Sequence, residues 1–252
     1  MVSLGLIGGK LGHSFSADYF IKKFREEGVD GKYRLYPIPD IGGLTELLDS
    51  HPDLKGLNVT IPYKEAVIPL LDHISEDASA IGAVNVIDIR HDSEGNRFLY
   101  GYNSDWKGFS DSLLPLIDAK IQKAIVLGTG GASKAVGYAL KRLGIEVLFV
   151  SRNPNGKASD TIAYEKLTPE IIRDHRIIVN TTPLGMFPDK ATYPDIPYDA
   201  LTELHLCYDL VYNPEETEFM KRASKYGAKV KNGLEMLHRQ ADISREIWND
   251  HF

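Results

Sequence analysis

From residue 124 onward, four short apolar runs, 124–127, 146–150, 177–180 and 206–210, are set apart by longer stretches, several of helical pattern. Strands that alternate with helices pair in parallel, because each crossover carries the chain back over the sheet, and the crossover is right-handed. Few architectures other than an open, doubly wound α/β sheet satisfy that pattern. The first run leads directly into Gly128-Thr129-Gly130-Gly131-Ala132-Ser133 and then into the clearest helix of the chain, 133–143. A glycine turn between a strand and a helix marks the end of the sheet where such proteins bind ligands.

The first hundred residues obey a different rhythm. Residues 2–7 read as a strand, and Ser16 is expected to cap a helix whose inner face carries Phe20, Ile21 and Phe24 and which Gly28 ends. Strands at 33–38 and 56–61 flank a helix near 44–50, and Pro62 suits the first turn of a short helix. Ser75-Glu76-Asp77 opens another helix, with its acidic residues at the favourable end of the dipole. Residues 83–90 and 97–103, on either side of 91–96, read as an antiparallel hairpin. A mixed sheet of five or six strands is therefore expected to close before Asp105. Further helices are expected at 215–226 and 234–248. The domain reading is 1–104, with 234–252 packing back on it, and 105–233.

Composition narrows the function classes. The 252 residues are 43% hydrophobic and 25% charged, which suits a globular protein. A net charge of −6 argues against nucleic acid as a partner. No signal segment opens the chain and no run approaches the roughly 20 apolar residues that span a bilayer, so a cytoplasmic protein without a membrane partner is expected. The single cysteine, Cys207, sits in an apolar run and reads as a buried, inert thiol. No metal site is expected.

Within the turn, Gly128 permits the tight reversal and Gly130 lets backbone N–H groups approach a pyrophosphate at the helix N-terminus. Ser133 replaces the third fingerprint glycine, so the turn alone fits either a dinucleotide or a purely structural connection. The end of the next strand adds information. An NAD site places a carboxylate there for the ribose, whereas this chain has Ser151-Arg152. A guanidinium suits a 2′-phosphate, which favours NADP. Lys157 is a possible second cation.

Two polar strings complete the inventory. Lys64 ends Asn58-Val59-Thr60-Ile61-Pro62-Tyr63-Lys64, and Asp105 ends Gly101-Tyr102-Asn103-Ser104-Asp105. Ketone reduction needs a hydride at carbon and a proton on the developing alkoxide, and a positioned ammonium can supply the proton. Taken singly, Lys64 reads more readily as a solvated first-turn lysine and Asp105 as an ordinary N-cap. Around them stand small polar residues, Ser14, Ser16, Asn58, Thr60, Asn85 and Gln240, which suit a polyhydroxylated ligand because each unmatched buried polar group costs about 1–3 kcal/mol. His13 reads as structural.

These strings, in this order, closely resemble the shikimate dehydrogenase family over nearly the whole chain. The residues that carry the resemblance are Gly12 to Ser16, Asn58 to Lys64, Gly82-Ala83-Val84-Asn85, Gly101 to Asp105, the glycine turn and Ser151-Arg152. Asn180 to Met186, Asp209 to Pro214, Asn232-Gly233-Leu234 and Gln240 complete the series. The resemblance implies an N-terminal mixed-sheet substrate domain, a C-terminal Rossmann-like NADP-binding domain, and NADPH-dependent reduction of 3-dehydroshikimate to shikimate on the route to chorismate and the aromatic amino acids. It implies Lys64 and Asp105 as the catalytic pair, which also touch substrate. Ser14, Ser16, Asn58, Thr60, Asn85, Tyr212 and Gln240 are the further substrate residues it implies. For the cofactor it implies Gly128, Gly130, Gly131, Ala132, Ser151, Arg152, Thr181, Met186 and Gly233. A monomer or homodimer is expected. The rivals are an NAD-preferring quinate/shikimate dehydrogenase, against which Arg152 argues, and a non-catalytic cofactor sensor, against which the Lys64 and Asp105 pair argues. Three departures from the family pattern stand out: Ala17, the Ser151-Arg152-Asn153-Pro154 string, and Glu235, whose charge is expected to repel a phosphate-bearing cofactor.

Overall fold

Val2–Gly8 forms β1, buried along its whole length between two parallel neighbours, β2 (Gly31–Pro37) and β3 (Leu54–Val59). A strand covered on both faces is what a nearly continuous apolar run, broken here only by Ser3, specifies. Helix α1 (Phe15–Glu26) connects β1 to β2, and α2 (Leu44–Ser50) precedes β3. After β3 come α3 (Tyr63–Ala66), β4 (His73–Ile74) and α4 (Glu76–Ile81), the last capped by Ser75, whose hydroxyl accepts the Ala78 N–H. The antiparallel hairpin of β5 (Val86–His91) and β6 (Arg97–Tyr102) then completes a mixed six-stranded sheet in the order β2-β1-β3-β5-β6-β4.

The second sheet is entirely parallel. It is built from β7 (Lys123–Leu127), β8 (Glu146–Ser151), β9 (Thr161–Ala163), β10 (Ile177–Asn180), β11 (Leu206–Asp209) and β12 (Lys229–Lys231). Helices α5 (Asp105–Leu113), α6 (Gly131–Arg142), α7 (Pro169–Asp174), α8 (Glu218–Lys225) and α9 (Leu234–Ile247) accompany it in sequence. The order β12-β11-β10-β7-β8-β9 is the doubly wound arrangement of dinucleotide-binding units, with the reversal between β7 and β10. Period-two alternation sends Ile125 and Leu127 into one hydrophobic layer with Ile178, Cys207 and Phe219. It sends Ala124 and Val126 into the other with Val136, Val179 and Tyr208. Cys207 is fully buried, and desolvation pushes its thiol up to about 12, so it stays protonated and unreactive.

This computed structural model describes residues 1–9, 11–12, 15–118, 120–154 and 160–252. The chain divides into two compact units, residues 1–104 with 240–252 and residues 105–239. The division falls at Gln240, inside α9. Within the first unit Trp248 lies fully buried and donates its indole N–H to the Ile87 carbonyl (3.0 Å). Gly56 makes this possible, since a Cβ there would stand 2.2 Å from the indole nitrogen. Phe20 stacks on Tyr33 at 4.9 Å and meets Trp248 at 5.5 Å.

Several local expectations are corrected. Helix α1 begins at Phe15, so Ser16 lies in its first turn and is not the cap. Ile21 is 37% exposed, because its position on a 3.6-residue helix turns it away from the stripe of Phe20 and Phe24. The helix expected at 215–226 starts at Glu218, where Thr217 accepts the Met220 N–H and sets the first turn. Pro62 precedes α3 and is not inside it. Strands β4, β9 and β12 span two or three residues, too few to show a period. Among the described residues no helix is long and apolar enough to cross a membrane, and no group of His, Cys, Asp or Glu could hold a metal.

Candidate active site

In the first unit the polar residues form one buried network. Asn58, at the fifth position of β3, accepts the Tyr33 hydroxyl on Oδ1 (2.8 Å) and donates Nδ2 to the Asn85 carbonyl (3.3 Å) and to Ser244 Oγ (3.2 Å). Asn85 clasps Ser104 from both sides: its Oδ1 accepts the Ser104 N–H (2.7 Å) and its Nδ2 donates to Ser104 Oγ (2.9 Å). Ser104 Oγ lies 3.4 Å from Gln240 Oε1 and 3.2 Å from Ser244 Oγ, and Ser244 donates to the Gln240 carbonyl (2.8 Å). Ser16 joins through its hydrogen bond to the Tyr33 hydroxyl, whose proton is held tightly by burial. Nearly every member of this network is neutral, so its orientation is set by hydrogen-bond direction and not by charge.

Lys64 and Thr60 flank this network. Lys64 is the second residue of α3, and its carbonyl accepts the Val84 N–H (2.7 Å), which ties the helix to the segment bearing Asn85. Tyr63 is buried beside it and donates to the Ile38 carbonyl (2.6 Å), so the turn cannot rotate freely. Thr60 follows β3 and donates its N–H to the Ile7 carbonyl (3.0 Å). Ser14 and His13 lie outside the described residues. Asp105, buried, is the first residue of α5 and of the second unit. It follows directly on Ser104, the hub of the network.

The second unit concentrates its candidates at the carboxyl end of the sheet. Gly128 adopts φ +116°, and a Cβ there would meet Thr181 Oγ1 at 2.7 Å, so both backbone and packing require glycine. Gly130 is the N-cap of the twelve-residue α6 and supplies no side-chain cap, and a Cβ on it would meet nothing within 4 Å. Together with Gly131 and Ala132 it leaves the helix N-terminus open to an anion. Ser133 hydrogen-bonds Thr181 Oγ1 (2.6 Å), and Thr181 in turn donates its N–H and hydroxyl to the Leu127 carbonyl (3.1 and 2.6 Å). The missing third glycine is supplied elsewhere: at Gly137 a Cβ would lie 2.4 Å from Phe149 on β8, so this residue permits the close helix–sheet approach.

Ser151 ends β8 and accepts the Asn153 N–H (3.2 Å), bending the chain so that Arg152 stands exposed, with no carboxylate among the described residues at ion-pair distance. Lys157 lies outside the described residues. Met186 is 44% exposed, and the next residue, Phe187, donates its N–H to the Asn213 carbonyl (3.1 Å), which pairs that loop with the one bearing Tyr212. Tyr212 is 38% exposed, and desolvation of the covered part of its side chain raises its hydroxyl pKa. Gly233 packs against Leu210, where a Cβ would fall 2.1 Å from the carbonyl oxygen. Its glycine is thus demanded by packing alone. Glu235 does not present a free charge: it pairs with Lys231 (2.6 Å) and Arg239 (3.2 Å), which hold its carboxyl below the usual range. Hydrogen bonding to Lys231 dominates that shift, and the expected repulsion of a phosphate is largely offset. An open helix N-terminus at the order reversal, with an exposed guanidinium one strand away, fits NADP.

Sequence reasoning gave no role to Tyr33, Ser104, Ser244 or Gly137. Ser244 was legible in principle, since it lies four residues after Gln240 and shares its helical face. Tyr33 and Ser104 meet their partners only through tertiary contacts.

The fold and the two polar clusters define a class: a two-unit α/β oxidoreductase with a Rossmann-like nucleotide unit. Residues 6–87 match the family described as the shikimate dehydrogenase substrate binding domain. The chain is 40% identical to shikimate dehydrogenase (NADP(+)) of Clostridium beijerinckii, the match covering 98% of this chain and 91% of that one. It is 36% identical to the enzyme of the same name from Caldanaerobacter subterraneus, with the same coverage. Among solved structures, shikimate 5-dehydrogenase of Thermus thermophilus, in complex with NADP(H) and shikimate, superposes with a TM-score of 0.85 at 32% identity, covering 99% of this chain and 94% of that one. The chain belongs to the shikimate dehydrogenase family.

Proposed function

We propose that the protein catalyses the reversible, NADPH-dependent reduction of 3-dehydroshikimate to shikimate, the step that feeds chorismate and aromatic amino acid synthesis. The observation that carries this reading is the near-full-length similarity to enzymes named for that activity.

In this reading residues 1–104, with the C-terminal helix, hold the substrate and residues 105–233 hold the cofactor. Ser14, Ser16, Asn58, Thr60, Asn85, Tyr212 and Gln240 meet the ring hydroxyls and carboxylate, with the Asn58, Asn85 and Gln240 heads oriented by the Ser104 and Ser244 hydroxyls. Gly128, Gly130, Gly131 and Ala132 offer backbone donors to the pyrophosphate, Arg152 and Ser151 meet the 2′-phosphate, and Thr181, Met186 and Gly233 border the nicotinamide half. NADPH, when bound, supplies the hydride to the ketone carbon. Lys64 gives its ammonium proton to the oxygen as the C=O π bond breaks, so hydride plus proton convert ketone to alcohol. Asp105 directs the ammonium and balances its charge. The same groups run the reaction backwards, with Lys64 taking the hydroxyl proton. A cytoplasmic monomer or homodimer completes the proposal.

The test is direct. Purified protein is mixed with shikimate and NADP+, then with NAD+, and reduced-nicotinamide absorbance is followed. Turnover is expected with NADP+; none with either cofactor would overturn the enzyme reading, and faster turnover with NAD+ would overturn the cofactor assignment.

A further inference from the structure

Strands β10 and β11 pair in parallel with Asn180 opposite Asp209, so the last residue of each strand stands side by side at the carboxyl edge of the sheet, both fully buried. Asn180 Nδ2 donates to Asp209 Oδ1 (2.9 Å). The same carboxylate accepts the Val211 N–H (3.0 Å) on Oδ1 and the Thr217 hydroxyl (2.6 Å) on Oδ2. Asn180 in turn accepts the Thr182 N–H (3.0 Å) and the Thr182 hydroxyl (2.6 Å) on Oδ1, and its Nδ2 reaches the Leu184 carbonyl (3.4 Å). One carboxylate and one carboxamide therefore gather three segments: residues 181–186, residues 211–213 and the cap of α8.

No lysine, arginine or histidine among the described residues forms an ion pair with Asp209, and burial pushes its carboxyl up to about 6. A buried carboxylate without a counter-cation is a costly choice for a mere staple. What it offers is acceptor capacity, because two oxygens can take three donors from three directions while an amide oxygen alone cannot. One of the gathered segments, 181–186, follows β10 directly and so lies at the sheet's order reversal. Thr181 crosses from β10 to the glycine turn, bonding Leu127 and Ser133, and so forms one wall of the crevice where doubly wound sheets bind ligands.

We propose that Asp209, acting through Asn180, is a positioning residue for the dinucleotide: it holds the 181–186 loop, with Thr181 and Met186, in its binding geometry. This rests on the NADP reading above. The experiment compares full-length wild type, Asp209→Ala and Asp209→Asn by calorimetric titration with NADP+ and by thermal melting. Asp209→Asn keeps the Oδ1 acceptor for Asn180 and Val211, the contact that reaches the 181–186 loop, and gives up only the Oδ2 acceptor of the Thr217 hydroxyl. Its NADP+ Kd is expected within about twofold of wild type, whereas Asp209→Ala raises Kd about tenfold or more. An Asp209→Ala protein that melts earlier yet binds NADP+ within twofold of wild type would overturn the proposal and leave a structural staple. Should Asp209→Ala fail to fold, Thr182→Val decides, because it removes one hydroxyl from the Asn180 end at a partly exposed position: about threefold weaker NADP+ binding supports the proposal and unchanged binding overturns it. Wild-type protein that binds no NADP+ would overturn the cofactor reading itself, an outcome distinct from equal binding by wild type and variant.

Discussion

The two units solve recognition by opposite means. The first arranges side chains: Tyr33, Asn58, Asn85, Ser104, Gln240 and Ser244 are all neutral, all engaged, and mostly inaccessible to solvent. The second arranges backbone: Gly128 and Gly233 remove side chains where the chain must turn or approach closely, and the N-terminus of α6, with Gly130 at the N-cap, is left without a side-chain cap. A ring bearing several hydroxyls needs donors and acceptors in many directions, which only side chains supply. A phosphate needs convergent N–H groups and positive charge, which a helix end and one arginine supply. A polar site can thus be specified either by what is present on the chain or by what is kept off it.

Four experiments put that contrast under load. The largest effect is expected at Lys64. Lys64→Ala should lower kcat about a thousandfold, or about 4 kcal/mol, with shikimate KM much less affected, because the proton is needed only in the transition state. A change confined to KM would make Lys64 one more binding group of the first unit.

Next comes the charge buried in the second unit. Asp209 has a folded pKa of about 6 against an ordinary 3.8, so the folded state binds the proton more tightly. Its contribution is therefore fully present below pH 3.8 and is lost as the pH rises through 6, which amounts to about 3 kcal/mol. Asp209→Asn lacks this loss. The Tm of the variant relative to wild type should climb between about pH 4 and pH 7 by about 5 °C or more. A constant difference across that range would show that Asp209 does not titrate there.

Arg152→Ala should reduce kcat/KM for NADP+ by about 10- to 100-fold while leaving NAD+ nearly unchanged, the loss of a charge-assisted contact to the 2′-phosphate. Equal losses with both cofactors would remove Arg152 from the phosphate site. The smallest effect is expected at Ser244. Ser244→Ala suits the helix but withdraws a partner from Asn58 and Ser104, at about 1 kcal/mol. Shikimate KM should rise about fivefold with NADP+ KM constant. If both rise together, the network supports the fold and not the substrate side.

Legibility in the sequence followed the range of the interactions. The strand–turn–helix at 124–142 could be read because each of its signals is local: a β-rich run, three glycines and a helical period. Helix α4 was equally plain, since Ser75 caps within three residues of itself. By contrast, Ser16 looked like a cap because serine is a good one, but the helix starts one residue before it and its hydroxyl turns to Tyr33. Glu235 reads as a hazard in the sequence, yet Lys231 and Arg239 pair with it from either side. Arg239 stands four residues beyond Glu235 on α9, a local pairing, whereas Lys231 ends β12 and reaches Glu235 only because of the way the chain turns from that strand into the helix.

Local signals were enough to specify the kinds of element, the parallel second sheet, the glycine turn and the list of residues able to carry hydride-transfer chemistry, because helical and strand periods and turn residues act over a few positions. How those residues are held was settled by tertiary packing. Asn58 meets Ser244 across 186 residues, Ser104 meets Gln240 across 136, and Asn180 meets Asp209 because two strands end in register. Hydrogen-bond direction between distant groups is set by packing of whole layers, and no local pattern encodes it.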